Sequence, residues 1–226
     1  MNKFWEPLIE GLPGWLPELL WACLQTIQLT TLSFLVAVPL GMIIVAMRLS
    51  KLKSLRWVAV ALIEVARGTP ALVILFIIYF GLPSVVPWLS INSLGAAVLG
   101  LGLQGGAILA EIFRAGIEAI DRGQREASLT LGMTPRQTMM DVIGPQAWRI
   151  ALPPVGNYAV GLLKDTSIAS IIAAPELMLR AKDLASSSFM PMQLYVLAAV
   201  LYFAMSFPLA LFIRRLERRI TLVRRT

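Results

Sequence analysis

Five charged side chains interrupt stretches of sequence that are otherwise almost wholly apolar: Glu64, Arg67, Glu111, and the adjacent Lys164 and Asp165. A charge at the centre of a bilayer costs about 2.5–3.5 kcal/mol on insertion scales, so such groups must pair or face water. Glu64 and Arg67 are three residues apart and share a helix face, which allows a local ion pair. Lys164 and Asp165 are neighbours and point about 100° apart on a helix, so they must reach different partners. Thr166, Ser167 and Ser170 add hydroxyls just beyond. A cation, an anion and hydroxyls within an apolar run can receive both ends of a zwitterion such as an amino acid. The competing reading is a packing or gating network that never touches cargo.

Other chemistry is excluded by what the chain lacks. There is no histidine, so imidazole relays, His-based triads and His metal sites are ruled out. The single cysteine, Cys23, permits no internal disulfide and reads as a small apolar residue. No G-x-x-x-x-G-K-[ST] sequence occurs, and no nucleophile elbow or paired carboxylates are visible. The chain by itself does not read as an enzyme, and no cofactor or metal is expected on it.

The elements that must position these charges are membrane spans. Of 226 residues 58% are hydrophobic, with a mean hydropathy of +0.76. A span needs about 20 mostly apolar residues, and five segments reach that length: 19–47, 57–82, 93–113, 150–174 and 192–213. The expected fold is therefore an all-α integral membrane protein, a single domain over 1–226. Pro39 and Pro208 predict kinks in the first and fifth spans, and Pro153–Pro154 a break in the fourth. The second span is interrupted at Gly68-Thr69-Pro70. Either it bends there or residues 57–68 lie along the inner surface, and the bend is the favoured reading. Gly102 and Gly106 stand in GxxxG register, for packing within the chain rather than between subunits. Residues 1–18, with Trp5 and Trp15, suit an interfacial segment. Without a basic n-region, a cleaved signal peptide is not expected.

The net charge of +7 is explained by its placement. Arg48, Lys51, Lys53 and Arg56 follow the first span; Arg114, Arg122, Arg125, Arg136 and Arg149 lie between the third and fourth; Arg214, Arg215, Arg218, Arg219, Arg224 and Arg225 follow the fifth. Only Lys3, Arg180 and Lys182 fall on the other side. Short basic loops stay cytoplasmic, so the N-terminus is expected outside and the C-terminus inside. No nucleic-acid partner is expected.

Between the third and fourth spans lies a polar stretch, about 116–149, too long for a passive connection. A short helix following Gly123 is expected to end at Gly132. Thr134 caps a second helix, with Pro135 at its first position and Gln137 as capping-box partner. Gly144-Pro145 should stop that helix. The product is a rigid polar elbow, suited to mechanical coupling.

Within it, Glu126-Ala127-Ser128, three residues, Gly132, nine residues and Val142-Ile143-Gly144-Pro145 resemble the EAA loop (E-A-A-x3-G-x9-I-x-L-P) of ABC importer permeases. Ser128, Val142 and Gly144 depart from the pattern. Arg67-Gly68-Thr69-Pro70, Tyr79-Phe80-Gly81-Leu82-Pro83, Glu111-Ile112-Phe113-Arg114-Ala115-Gly116 and Leu163-Lys164-Asp165-Thr166-Ser167 are similar to the polar amino-acid branch of that family. Ile74 departs from it, where many members carry Gln. The resemblance implies a type I ABC importer permease fold in a bacterial cytoplasmic membrane. Gly123, Glu126, Ala127, Ser128 and Gly132 would couple to an ATPase. It also implies two ATP-binding cassette subunits holding ATP-Mg, a second permease chain, an extracytoplasmic solute-binding protein and an amino acid as cargo. The rivals are an ion-coupled secondary carrier using Glu64, Glu111 or Asp165, and a membrane scaffold that transports nothing.

Overall fold

The computed structural model describes residues 6–223; Lys3, Trp5, Arg224 and Arg225 lie outside the described residues. The chain forms α1 (Glu6–Arg48), α2 (Lys53–Gly68), α3 (Ala71–Phe76), α4 (Leu82–Val85), α5 (Ser93–Glu118), α6 (Arg122–Thr130), α7 (Pro135–Gln137), α8 (Gly144–Asp165), α9 (Leu177–Ser188) and α10 (Pro191–Val223). Among the described residues there is no strand. Three stretches are long and apolar enough to cross a membrane: Glu10–Arg48, Ser93–Glu118 and Pro191–Arg218. A fourth is obtained when α2 and Ala71–Val85, bent by 105° at their junction, count as one.

The bend falls at Thr69–Pro70, as the Gly-Thr-Pro sequence predicts. Proline at the cap of α3 offers no N–H to continue the preceding ladder, and Thr69 is extended at φ −100° and ψ 130°. At 105° the two halves stand almost at right angles, a much sharper turn than a kinked span requires.

The expected break at Pro153–Pro154 in the span over 150–174 is corrected. Pro153 and Pro154 do not break it; α8 runs through both. Ala151, Val155 and Gly156 on either side are buried, and this packing holds the helix where the missing donors weaken it. The break comes at Thr166, where a 3-10 segment (Thr166–Ile172) takes over. The Thr166 hydroxyl donates to the Leu163 carbonyl at 2.7 Å, occupying an acceptor of the helix end. Ala173, in the left-handed region at φ 55°, closes the segment. Pro39 and Pro208 both sit inside unbroken helices. The N-terminal segment is helical from Glu6 and continuous with the rest of α1, and Trp15 packs on the core.

Packing is organised around α5. It makes its most extensive contact with α1 and also touches α2, α3 and α8. Its glycines face other helices of the same chain. A Cβ on Gly106 would lie 2.7 Å from Leu40 Cδ2, and one on Gly102 would lie 2.6 Å from Val36 Cγ1. Gly41 answers from α1, where a Cβ would come within 2.9 Å of Leu109 Cβ and 3.1 Å of the Gly106 carbonyl oxygen. The GxxxG pair thus serves contacts inside the chain, as expected.

A second cluster ties α9 to the start of α1 and to α10 through Leu19, Cys23, Leu177, Leu184 and Leu194. Cys23 is a buried apolar filler there. Glu176 caps α9: only 1% exposed, its carboxylate accepts from the Met178 amide at 2.8 Å, from the Leu179 amide and from the Tyr202 hydroxyl. Burial raises the proton affinity of this carboxylate, and those donors together with Lys182 work in the other direction. The Thr26 hydroxyl of α1 accepts from the Leu177 amide at 2.9 Å. On the surface, Arg180 pairs with Glu18.

Gly41→Val should lower the thermal stability of the purified chain by about 1–3 kcal/mol through overpacking. Gly161→Ala, where nothing lies within 4 Å, should leave it unchanged or raise it slightly; thermal unfolding in detergent reads both. Glu176→Ala should cost a comparable about 1–3 kcal/mol, because two amides and a phenol lose their acceptor. Tyr202→Phe should cost less in the same assay, since the carboxylate keeps both amide donors.

Candidate functional site: a rigid elbow and the charges beside it

The elbow is built from α6, α7 and the π-turn Thr138–Ile143. Asp121 opens it, its Oδ1 accepting from the Gly123 amide at 2.7 Å. α6 ends with the Leu131 amide donating to Ala127 and the Met133 amide to Ser128, at 3.0 and 3.1 Å. Gly132 follows at φ +80°, the left-handed conformation that closes a helix and that a side chain disfavours. Thr134 and Gln137 form the expected capping box: the Gln137 amide donates to the Thr134 hydroxyl at 3.3 Å, and the Thr134 amide to Gln137 Oε1 at 2.9 Å.

One expectation here is corrected. Gly144-Pro145 does not stop a helix; Gly144 is in the right-handed region and α8 begins on it. The π-turn brings the Gly144 amide to the Met139 carbonyl, and Pro145 then falls in the first turn of α8, where its lost donor matters little. A Cβ at 144 would sit 2.6 Å from the Met139 carbonyl oxygen, so glycine is there for close backbone approach. The elbow is therefore continuous with α8 rather than hinged to it.

Of the predicted coupling residues, Gly123, Glu126, Ala127 and Gly132 are exposed. Ser128 is not: it is the one buried residue of α6, and its hydroxyl donates to the Gln124 carbonyl at 2.7 Å. Its side chain is turned inward and bonded to its own helix, unlike the other four. Leu131, 82% exposed, and Met140, 66% exposed, stand out of a largely polar surface, with Leu129 less exposed on the same element. Sequence reasoning missed both; the signal was an apolar side chain beside each turn of a polar element.

The intramembrane charges are arranged differently from expectation. Glu64 and Arg67 are both exposed, and no ion pair joins them. Glu111 is held instead by Arg114, whose Nη2 lies 2.8 Å from Oε2, and Arg114 also reaches Glu118 one turn on. Arg48 and Arg67 act on Glu111 through space. Arg114 and Glu118 were not singled out in the sequence, although the spacing i, i+3, i+7 from Glu111 puts all three on one stripe.

Lys164 and Asp165 are the last residues of α8 and exposed, and neither side chain makes a hydrogen bond or ion pair among the described residues. Thr166 and Ser170 are buried and Ser167 half-buried. The hydroxyls thus do not form one accessible patch with the charges, because Thr166 is turned back onto the Leu163 carbonyl. Among the described residues no three His, Cys, Asp or Glu side chains come together as a metal site.

Comparison with known proteins finds relatives over nearly the whole of this helical bundle. Residues 37–222 match the family described as binding-protein-dependent transport system inner membrane component. The probable amino-acid ABC transporter permease protein YckA of Bacillus subtilis is 39% identical over 194 residues, covering 86% of this chain and 85% of that one. The L-cystine transport system permease protein TcyB of the same organism is 38% identical over 220 residues, 97% and 88% of the two chains. The crystal structure of an amino acid ABC transporter with histidines superposes with a TM-score of 0.86 at 36% identity, covering 92% of this chain and 96% of that one. On this evidence the chain belongs to the family of inner membrane components of binding-protein-dependent transport systems.

Proposed function

We propose that this chain is the permease subunit of an ATP-driven importer of amino acids. Three lines support the cargo class: the names of the relatives above, the resemblance of residues 67–83 and 163–167 to the amino-acid branch, and charges at the end of α8 that suit a zwitterion. The amino acids in their names differ, L-cystine in one and histidines in the other, so the proposal stops at the class. Five spans are proposed, the bent α2–α4 unit and α8 with its 3-10 extension completing the three long helices. The positive-inside distribution puts the elbow and the C-terminus in the cytoplasm and the N-terminus outside.

The observation that carries the reading is the elbow. A rigid polar lever that exposes Leu131 and Met140 has the chemistry of a docking element. Its partner in this reading is an ATP-binding cassette subunit, two per transporter, holding the ATP-Mg that this chain has no motif to hold. ATP closes the ATPase pair, the elbow moves with it, and α8, continuous with the elbow, carries the displacement into the bundle. A second permease chain completes the pathway; the uncovered apolar side of α10, where Phe203 is 63% exposed, needs either that chain or lipid. An extracytoplasmic solute-binding protein delivers the cargo.

Leu131→Glu should break the ATPase contact. Reconstituted with its ATPase and binding protein, this variant should lose at least about tenfold of ATP-driven uptake, equivalent to about 1.4 kcal/mol, with thermal stability unchanged. Full uptake by the variant would count against the elbow as the docking site. Asp165→Asn and Lys164→Gln should each depress uptake of the preferred amino acid while the ATPase still copurifies. Wild-type uptake in both would remove the end of α8 from the pathway.

A further inference from the structure

Where α1 ends and α2 begins, a recess of about 460 Å³ is lined by Arg48, Lys53, Arg56, Trp57 and Val60. Its volume lies within the usual range for small-ligand sites. Four of the five lining residues, 53, 56, 57 and 60, follow the i, i+3, i+4, i+7 stripe of one helix face; Arg48 closes the recess from the last turn of α1. The order along the stripe is specific: cations come first, then an indole, then an aliphatic side chain. From Arg48 to Ile63 there is no Asp or Glu, and none of the three cations forms an ion pair among the described residues. Arg48 acts at a distance on Glu111, but that carboxylate is already held by Arg114.

Three unneutralised cations converging on one recess call for an anion. The surface that continues from them identifies which kind. Trp57 is 73% exposed, and Val58, Leu62 and Val65 beyond it are exposed too. A soluble acidic partner would leave those apolar side chains in water, whereas the acyl region of a membrane covers them. Tryptophan also favours the headgroup boundary, and long basic side chains reach from an apolar stem to a charged interface.

We propose that this recess binds the phosphate of an anionic phospholipid headgroup, with Arg48, Lys53 and Arg56 as its cations and Trp57 at the edge of the acyl chains. The site rests on the inner-face placement of this end of α1 argued above, and it is independent of which solute is carried. The lipid would anchor the start of α2 at the inner interface, on one side of the 105° bend. α2 packs on α1 and α5 through Ala59 and Ile63, so the occupied recess would fix the helix whose far end carries Glu64 and Arg67.

The test uses the permease assembled with its ATPase, reconstituted in nanodiscs of equimolar phosphatidylcholine and phosphatidylglycerol, then released into mild detergent and weighed by native mass spectrometry. Phosphatidylglycerol should be retained in preference to phosphatidylcholine. Lys53→Gln combined with Arg56→Gln should lower its occupancy at least about fivefold, given the usual contribution of a cation at an anionic surface. Lys51→Gln, beside the recess but not lining it, should leave occupancy unchanged, as should added inorganic phosphate. Should the double variant fail to assemble, Arg56→Glu alone gives the same reading. Equal retention in the recess variants and wild type, or equal loss in Lys51→Gln, would overturn the proposal. Displacement by inorganic phosphate would make the recess a site for a soluble anion, and loss of the ATPase with lipid unchanged would make it a protein contact; either result also overturns it. Retention needs no transport, so a failure of the importer reading would leave this measurement standing.

Discussion

Helices inside a lipid solvent gain little from hiding hydrocarbon, so they hold together only where their surfaces fit closely. In this chain the close fit is the seam between α1 and α5. Gly41, Gly102 and Gly106 leave so little room that a single added carbon would strike the facing helix. Because α5 also meets α2, α3 and α8, that seam fixes where the other helices can stand. It fixes the elbow too: a Cβ on Gly116, near the end of α5, would lie 2.9 Å from the Ala147 carbonyl oxygen in α8. The lever is thus clamped close to where it enters the bundle.

Much of this was legible in the residues. Thr134, Pro135 and Gln137 specify a capped helix start by local chemistry alone, and Gly132 a left-handed stop; both are found. The Gly68-Thr69-Pro70 break is equally local and equally visible. Prolines read in isolation misled. Pro153 and Pro154 remove donors, but Ala151, Val155 and Gly156 are packed against neighbours that are remote in sequence, and the helix survives. Pro145 misled differently, because a π-turn placed it in a first turn, where proline is tolerated. Neither outcome is encoded in the dipeptide itself.

Charge was harder to read than shape. The spacing of Glu64 and Arg67 permits a pair, yet no pair forms, while Glu111 is bonded to Arg114 on its own helix, with Arg48 and Arg67 acting only at a distance. Which carboxylate a cation serves depends on how α1, α2 and α5 are brought together, and periodicity within one helix carries no such information. Glu176 was overlooked for the same reason: its partner Tyr202 comes from α10, while Thr26 of α1 accepts from the neighbouring Leu177 amide. The ion-coupled alternative, which needed Glu64, Glu111 or Asp165 as an ion site, finds no support among the relatives. The coupling reading gained a feature that the motif did not contain, in Leu131 and Met140.

α1 has one further consequence. At 1.5 Å per residue its 43 residues extend roughly 65 Å, about twice the thickness of a hydrocarbon core. Near its start Leu19 and Cys23 are fastened to α9, and toward its end Ile44 and Val45 are fastened to α2 and α5. α1 is therefore one unbroken helix fastened to different parts of the bundle toward its two ends. Between those two anchorages the helix continues through Pro39, which lacks a donor, so a displacement at one end is passed to the other along one element.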